Sequence, residues 1–286
     1  MTPTDRTANA DPIQTRVAQH YARADLERSI LDALTASGKD IDRLAPEDLS
    51  PVDEFHTGGR EATVEFARQL GVTSNMHLLD IGCGIGGPSR FFASTFGCRV
   101  TGIDLTCDYV RTAESLAERV GLSDLVAYRQ ASALALPFGD ESFDGAYMMH
   151  VGMNIEDKRA LFAEIRRVLR PGAVFALYDV MRFGDGELHY PVHWATTDET
   201  SFLVGPTEYR QALEASGFEI IKERNRGDFA REAFRKVKAR MDGSDRPALG
   251  THLLLKHDAS LKLVNVLGGL EAGTIAPVEL IARVRA

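Results

Sequence analysis

The sequence predicts an α/β fold built around a doubly wound, mostly parallel sheet. Short apolar runs typical of buried strands alternate with amphipathic helical segments between residues 77 and 225. A glycine-rich loop directly follows the first of these strands. The 286 residues, 44% of them hydrophobic, suffice for one large domain with extra elements or for two small domains.

The individual elements follow from apolar spacing and from residues that start or stop helices. The runs HLLDIG, CRVTGIDL, LVAYRQAS, FDGAYMMH, AVFALYDV and FEIIKER are the predicted strands of the core. The predicted helices between them are PSRFFASTFG, CDYVRTAESLAERVG, EDKRALFAEIRRVL and TEYRQALEASG. Gly97 ends the first helix, Thr106 can cap the second, and Pro171 with Gly172 stops the third.

Further segments flank this core. Residues 12–37 have apolar positions at helical spacing and predict one helix, and REATVEFARQLG predicts another that ends at Gly71. The last run, PVELIARV, is expected to be an edge strand.

The expected organisation is an N-terminal helical cap and one main domain. The cap covers residues 1–57, and the main domain covers residues 58–286. Residues 183–204, which carry several aromatics, and residues 227–275, which look helical, are insertions that cover the substrate.

Composition excludes several classes of protein. A net charge of −8, from 33 basic and 41 acidic residues, disfavours nucleic acid as a partner. Three cysteines without paired spacing give neither a disulfide framework nor a metal site. No run reaches the roughly 18 apolar residues of a membrane span, and MTPTDRTANADPIQT lacks the apolar core of a signal peptide. We therefore expect a cytoplasmic monomer or homodimer.

The glycine-rich loop HLLDIGCGIGGPSRFFA poses a problem of charge. Gly82, Gly84 and Gly87 have the G-x-G-x-x-G spacing that usually indicates a dinucleotide. Asp80, however, stands two residues before the first glycine, and like charges about 5 Å apart repel by roughly 1–3 kcal/mol. A pyrophosphate is therefore a poor ligand for this corner.

S-adenosylmethionine fits the same corner better, because it carries a sulfonium and an α-amino group and has no phosphate. Asp80 can balance these cationic groups, while glycines let the carboxypropyl arm approach the backbone. Asp104 closes the second strand, where a carboxylate can accept the ribose hydroxyls of either cofactor. The alternative, a helix-capping role for Asp104, remains open.

Four ordered motifs resemble those of class I S-adenosylmethionine-dependent methyltransferases. They are LLDIGCGIGGPSRFFA, VTGIDLT, ALALPFGDESFDGAYMMH and EIRRVLRPGAVFALYDV, and they cover about residues 55–225. The set is similar to the subgroup of ubiquinone/menaquinone C-methyltransferases and sarcosine/dimethylglycine N-methyltransferases. This resemblance implies a Rossmann-like sheet of seven strands, mostly parallel with an antiparallel edge strand, and methyl transfer to a small acceptor.

The resemblance also implies a set of cofactor-binding residues. Gly82, Gly84 and Gly86 would face the methionine arm, with Cys83 as a small packing residue between them. Asp80 would serve the amino group and Asp104 the ribose. Leu105, Ser132 and Ala133 would lie at the adenine, although the family often has Asp-Ala where this chain has Ser-Ala. His150, at the end of the fourth strand, would lie near the sulfonium.

Candidate acceptor-binding residues are aromatic or histidine side chains at the ligand edge of the sheet. The candidates are Tyr21, His56, His189, Tyr190, His193 and Trp194. His150 is the candidate catalytic base, or else a residue that hydrogen-bonds only backbone or cofactor. The histidines at 189 and 193 lack a third ligand at suitable spacing, so no metal is expected.

The predicted function is methyl transfer from S-adenosylmethionine to a small molecule by in-line displacement. An amine is the preferred acceptor, since the aromatic segment could attract a cation. The alternatives are C- or O-methylation of a quinone-like or natural-product aromatic acceptor, a non-catalytic S-adenosylmethionine-binding module, and a nicotinamide-dependent oxidoreductase.

Overall fold

The structure is a computed structural model that describes residues 11–242, 248–255 and 258–285. Its strands are His77–Ile81 (β1), Arg99–Asp104 (β2), Val126–Gln130 (β3), Phe143–Met149 (β4), Leu169–Arg182 (β5), Phe218–Asn225 (β6) and Ile275–Val284 (β7). Its α-helices are Pro12–Tyr21 (α1), Leu26–Ala36 (α2), Ser50–Asp53 (α3), Gly59–Ala67 (α4), Gly87–Phe96 (α5), Cys107–Arg119 (α6), Lys158–Val168 (α7), Pro206–Ala215 (α8), Gly227–Asp242 (α9) and Ala259–Glu271 (α10).

The strands form one seven-stranded sheet in the order β3-β2-β1-β4-β5-β7-β6. β1 to β5 pair in parallel, whereas β7 runs antiparallel to both β5 and β6. The predicted fold class is confirmed. The chain order reverses between β1 and β4, and ligands of doubly wound sheets bind at such a switch point, beyond the carboxyl ends of the strands.

Apolar clusters cover both faces of the sheet. On one face, α7 and α8 pack through residues such as Phe162 and Leu213. On the other face, α4, α5 and α6 contribute Phe66, Phe92 and Ala113. Burial on both faces explains why the sequences of the parallel strands are nearly continuous apolar runs.

The position of the last strand differs from the prediction. The run PVELIARV lies inside the sheet, between β5 and β6, rather than at its edge. Nine of the ten β7 residues are buried, as expected of an internal strand. The strand at this edge of the sheet is β6, whose exposed charged side chains, Glu219, Lys222 and Glu223, suit that place.

Three predicted helices also have different bounds. Residues 12–37 form two helices, because the N–H of Arg23 donates to the Asp108 carboxylate at 2.9 Å instead of continuing α1. α4 ends at Ala67, before Gly71, and α7 ends at Val168, so that Pro171 and Gly172 belong to β5.

The flanking segments pack together over the carboxyl edge of the sheet. α9 and α10 share an apolar cluster with the 183–204 segment, in which Trp194 and Val192 are buried. α2 packs against α6 through a separate cluster that includes Ile30 and Leu116. Within the described ranges, no helix has both the length and the apolar character needed to cross a bilayer.

Candidate active site

A cavity of about 1200 Å³ opens at the carboxyl ends of β1, β2 and β4. One end, which we call the cofactor corner, is bounded by Asp80, Gly82, Cys83, Gly84, Asp104, Leu105, Ser132 and Ala133. The other end, which we call the acceptor chamber, is bounded by Phe55, Met153, Val180, His193, Trp194, Phe234, Val237, Leu254, Leu263 and Val266. Ligand pockets commonly have about 300–1,000 Å³, so this cavity has room for two ligands side by side.

The glycine loop forms the floor of the cofactor corner. Gly82 and Gly84 have φ values of 72° and 55°, in the left-handed region that glycine tolerates best. A Cβ on Gly82 would overlap the Val151 side chain, whereas a Cβ on Gly84 would have no atom within 4 Å. The free space beside Gly84 is therefore where a ligand can lie against the backbone.

The amides of this loop are already bonded within the protein. The N–H groups of Gly82 and Cys83 both donate to the Ile103 carbonyl at 2.8 Å, and that of Gly84 donates to Asp104 at 3.0 Å. These three amides are therefore not free to bind a ligand. This further disfavours a pyrophosphate, which needs free N–H donors.

Gly86 does not line the cavity. It has a φ of 81° and precedes α5, and a Cβ there would collide with the Tyr128 hydroxyl. Its positive φ and its close approach to Tyr128 explain why a glycine stands at this position, and no ligand contact is needed to explain it. We therefore exclude Gly86 from the cofactor corner.

Asp80 is a buried carboxylate on the wall of the cofactor corner, with 2% of its surface exposed. Its Oδ2 accepts a hydrogen bond of 2.6 Å from the Ser89 hydroxyl. Burial raises the pKa of Asp80 to about 7, and the charges acting on it, those of Asp104 and Glu54, are acidic. A bound ammonium group would supply the missing cation, so Asp80 fits the amino group of S-adenosylmethionine.

Asp104 ends β2 and shapes the loop as well as the cavity. Its two oxygens accept the N–H groups of Gly84 and Thr106, at 3.0 and 2.8 Å. Burial raises the pKa of Asp104. Each carboxylate oxygen can accept a second hydrogen bond, so Asp104 can still receive ribose hydroxyls.

Tyr109, on α6, is a wall residue that the sequence analysis missed. It is 4% exposed, and its hydroxyl has no hydrogen-bond partner among the residues that the structure describes. Burial, and after it the nearby Asp104 carboxylate, raise the pKa of Tyr109, so its hydroxyl keeps its proton. Only its place in the first turn of the helix after β2 could have indicated it.

Leu105, Ser132 and Ala133 line the same corner, at the ends of β2 and β3. The Ser132 hydroxyl accepts the N–H of Leu134 at 3.2 Å, a local turn contact that leaves its proton available as a donor.

His150 lies where the structure does not favour a catalytic base. Its Nδ1 lies 3.1 Å from the Tyr178 carbonyl, and its Nε2 lies 2.9 Å from the Thr57 hydroxyl and 3.3 Å from the Thr57 N–H. A carbonyl only accepts and an amide N–H only donates, so Nδ1 carries the proton and the Nε2 lone pair is used. Burial lowers the pKa of His150 to about 3. We therefore interpret His150 as a positioning residue between Thr57 and β5.

His56 is a second neutral imidazole of the wall. Its Nε2 lies 3.0 Å from the Thr63 hydroxyl, which itself donates to Glu54 at 2.7 Å. Nε2 must therefore be the donor to Thr63. Burial lowers the pKa of His56 to about 4, so this side chain holds the segment before α4 and carries no charge near neutral pH.

The four aromatic candidates of the 183–204 segment separate into two pairs. His193 and Trp194 line the cavity, and the indole N–H of Trp194 donates to the Ser201 hydroxyl at 2.9 Å. His189 and Tyr190 do not line it: the His189 side chain is 71% exposed, and Tyr190 packs on the outside of the cluster that contains Trp194. Of the four candidates, the structure therefore places His193 and Trp194 at the cavity wall and His189 and Tyr190 away from it.

Tyr21 and α1 cover the cavity. The Tyr21 hydroxyl donates to Oδ1 of the Asn154 side chain at 2.9 Å, and Nδ2 of the same side chain donates to the backbone carbonyls of Trp194 and Thr200. His20 of the same helix lies 3.0 Å from the His193 carbonyl oxygen. Asn154, which the sequence analysis missed, thus connects the cover to the chamber wall.

Comparisons with known proteins agree with this architecture. A model described as "Methyltransferase domain" matches residues 79–177. A sterol 24-C-methyltransferase of Eremothecium gossypii is 32% identical over 57% of this chain and 45% of its own length. The O-methyltransferase resE of Aspergillus sclerotiorum is 32% identical over 62% of this chain and 67% of its own length.

Structural comparison extends to nearly the whole chain. The crystal structure of the cyclase SpnF superposes with a TM-score of 0.70 and covers 96% of both chains, at 23% identity. The present chain spans about half the length of the sterol methyltransferase it matches. The matched methyltransferase domain and the identity to resE over two thirds of that enzyme establish the family: this chain belongs to the class I S-adenosylmethionine-dependent methyltransferases.

Proposed function

We propose that this chain transfers a methyl group from S-adenosylmethionine to a bulky, largely apolar small molecule bound in the acceptor chamber. The observation that carries the proposal is the continuity of the cavity. The corner that contains Asp80 and Asp104 opens directly onto a chamber bounded by side chains such as Phe234 and Leu263. Donor and acceptor can therefore lie in contact within one continuous cavity.

The proposed cofactor contacts follow from the corner. Asp80 accepts from the amino group, Asp104 accepts from the ribose, and the methionine arm lies in the free space beside Gly84. Leu105, Ser132 and Ala133 lie at the adenine. The cofactor supplies a methyl group on a positively charged sulfur, which needs no further activation as a leaving group.

The protein's own contribution is to orient the reactants and to exclude water. The apolar chamber holds the acceptor, while α1 closes over it through the Tyr21–Asn154 hydrogen bond. The bonded imidazoles of His56 and His150 serve as supports of the wall. Neither ring takes up a proton in the proposal: a hydroxyl or enol acceptor releases its proton to solvent on methylation, and the cofactor leaves as S-adenosylhomocysteine.

C- or O-methylation replaces an amine as the preferred reaction. The amine preference rested partly on the aromatic residues of the 183–204 segment. Two of them, His189 and Tyr190, do not line the cavity. The curated relatives named above are a sterol C-methyltransferase and an O-methyltransferase, which supports a carbon or oxygen acceptor. The proposed partners are this acceptor and the cofactor, and the net charge of −8 disfavours a nucleic acid.

Labelled methyl transfer tests the proposal. The protein is incubated with methyl-labelled S-adenosylmethionine and either apolar phenols, enols and alkenes or matched amines, and products are identified by mass spectrometry. Label on carbon or oxygen of an apolar compound is the expected result, and label confined to amines would contradict the acceptor assignment. Tight binding of S-adenosylhomocysteine with no transfer to any compound, or to a cell extract, would indicate a non-catalytic binding module. Binding of NAD instead of S-adenosylhomocysteine would revive the oxidoreductase alternative.

A further inference from the structure

The acceptor chamber contains an imidazole whose hydrogen-bonding capacity the protein does not use. Nε2 of His193 is shielded from solvent and has no hydrogen-bond partner within residues 11–242, 248–255 and 258–285. His193 nevertheless lines the cavity. Buried polar atoms are almost always paired in folded proteins, so an unpaired one on a cavity wall indicates a partner supplied by a ligand.

The position of this ring is fixed by its neighbours. Its plane is nearly parallel to the rings of Phe55 and Phe234, with centroid distances of 6.2 and 5.5 Å. Its backbone carbonyl is held by the His20 ring at 3.0 Å. Stacking covers both faces of the imidazole, so a ligand can reach this ring only at its edge, which bears both nitrogens.

The charges around His193 define what that partner can be. Burial lowers the pKa of His193 to about 3, and Lys262, His150 and His20 act in the same direction. The ring is therefore neutral, with one N–H donor and one acceptor lone pair. The first of these neighbours, Lys262, is a basic side chain, which disfavours a cationic acceptor.

We propose that the acceptor carries a hydroxyl group that hydrogen-bonds to His193 and thereby fixes the acceptor's orientation in the apolar chamber. A hydroxyl both donates and accepts, so it satisfies either neutral tautomer of the ring, whereas an ammonium group only donates. This inference rests on the proposed function, since it assigns the chemical class of the molecule in the same chamber. His193 would thus recognise the acceptor, and it would take no part in the transfer of the methyl group from the sulfonium.

Two ligands of matched size test the inference without requiring turnover. Equilibrium dialysis measures the dissociation constants of 2-naphthol and 2-methylnaphthalene for the full chain saturated with S-adenosylhomocysteine. We expect the wild-type protein to bind 2-naphthol about five- to tenfold more tightly, as one neutral hydrogen bond predicts. His193→Phe keeps the stacked ring but removes both nitrogens, and should reduce this ratio to less than twofold. His193→Gln, which can donate and accept, should keep part of it.

The control is His189→Phe, which makes the same change at an exposed position outside the cavity wall and should leave the ratio unchanged. If His193→Phe fails to fold, His193→Leu takes its place. Equal affinity of the wild-type protein for both compounds, binding of neither, or discrimination retained in the variant without the imidazole overturns the inference.

Labelled methyl transfer on the same preparations separates this inference from the proposed function. Intact transfer without discrimination overturns only the hydroxyl assignment. Discrimination without any transfer overturns only the proposed reaction.

Discussion

The two ends of the cavity are built in different ways. The cofactor corner comes from the glycine loop and the ends of the next two strands, β2 and β3, and backbone hydrogen bonds such as Gly82 N–H to Ile103 O fix its shape. The acceptor chamber is assembled from α9, α10 and residues as distant in sequence as Phe55 and Trp194, and packing between side chains fixes its shape. A site built from local backbone can be inferred from residue spacing, whereas a site built from distant side chains requires the fold.

Asp80→Asn should have the largest effect of the substitutions proposed below. It removes a carboxylate charge from the cofactor corner and leaves the acceptor chamber unchanged, so it should weaken cofactor binding alone. Hydrogen bonds to charged groups contribute about 1.5–3 kcal/mol, so the dissociation constant of S-adenosylhomocysteine should rise about 10- to 100-fold. Calorimetric titration measures this change. Asp140→Asn is the matched control, because the Asp140 side chain is 75% exposed, and it should leave the constant unchanged. Equal affinities of wild type and Asp80→Asn would remove Asp80 from the site.

Cofactor affinity should also depend on pH through Asp80. Burial raises the pKa of this carboxyl to about 7 in the ligand-free protein, so it is mostly protonated below that pH. Binding of an ammonium group favours the ionised form and must first release that proton. Affinity for S-adenosylhomocysteine should therefore fall roughly tenfold from pH 8 to pH 6.

The Asp80→Asn variant supplies the control for this pH dependence. Burial also raises the pKa of Asp53 and of Asp179 to about 6, and these carboxyls titrate in the same range. If Asp80 is responsible, calorimetry on Asp80→Asn should give an affinity that is flat between pH 6 and pH 8. A slope that survives the substitution would assign it to another buried carboxyl with a raised pKa, namely Asp53, Asp104 or Asp179.

Gly82→Ala and Gly84→Ala distinguish two roles of the loop glycines. One role is to avoid backbone strain, which affects stability, and the other is to leave space for the cofactor, which affects its binding. Both residues have left-handed φ values, so each substitution should cost about 1–2 kcal/mol of stability. A methyl group at Gly82 also overlaps Val151, which adds about 1–3 kcal/mol. Gly82→Ala should therefore lower the melting temperature further, by about 2–4 °C for each additional kcal/mol.

Calorimetry on the same two variants completes the test. Gly84→Ala should weaken S-adenosylhomocysteine binding although the protein remains folded, since its methyl group extends into the free space of the corner. Equal melting temperatures together with unchanged affinity in Gly84→Ala would show that no ligand lies beside this loop.

The fold class and the two acidic residues of the corner could be predicted from sequence because their signals are local. Asp80 and Asp104 stand at the ends of recognisable strands, and strand ends share one edge of a parallel sheet. The chamber gave no comparable signal. His189 and Tyr190 were grouped with His193 and Trp194 by proximity in sequence, but His193 and Trp194 are the central residues of a tight turn closed by the Val192–Ala195 bridge, and the other two residues precede that turn.

Helical periodicity likewise could not identify the chamber residues on α9. It shows that Phe234 and Val237 lie on related faces, but it does not distinguish a face buried against protein from one buried against a ligand. The break between α1 and α2 was missed for a related reason. It depends on the hydrogen bond from Arg23 to Asp108, two residues far apart in sequence.

His150 lies between the cofactor corner and the acceptor chamber. Of the substitutions proposed here, that of His150 should have the smallest effect on stability and on methyl transfer. Its φ of 58° is in the left-handed region, which asparagine adopts more readily than most residues. His150→Asn therefore removes the bond to Thr57 while relieving part of the backbone cost, and stability should change little.

The kinetics of His150→Asn then distinguish positioning from base catalysis. A positioning role predicts that kcat for methyl transfer falls by about threefold or less, since general base catalysis typically contributes 10²- to 10⁴-fold. The pH profile should keep its shape between pH 6 and pH 9, because burial holds the pKa of His150 at about 3 and its lone pair is already bonded to Thr57. The matched control is His77→Asn, at the start of β1 and therefore at the end of the sheet away from the cavity. It should leave kcat and the pH profile unchanged. A loss of a hundredfold or more, with a titration step that disappears in the variant, would restore His150 as the base and would mean that the Thr57 contact opens when the acceptor binds.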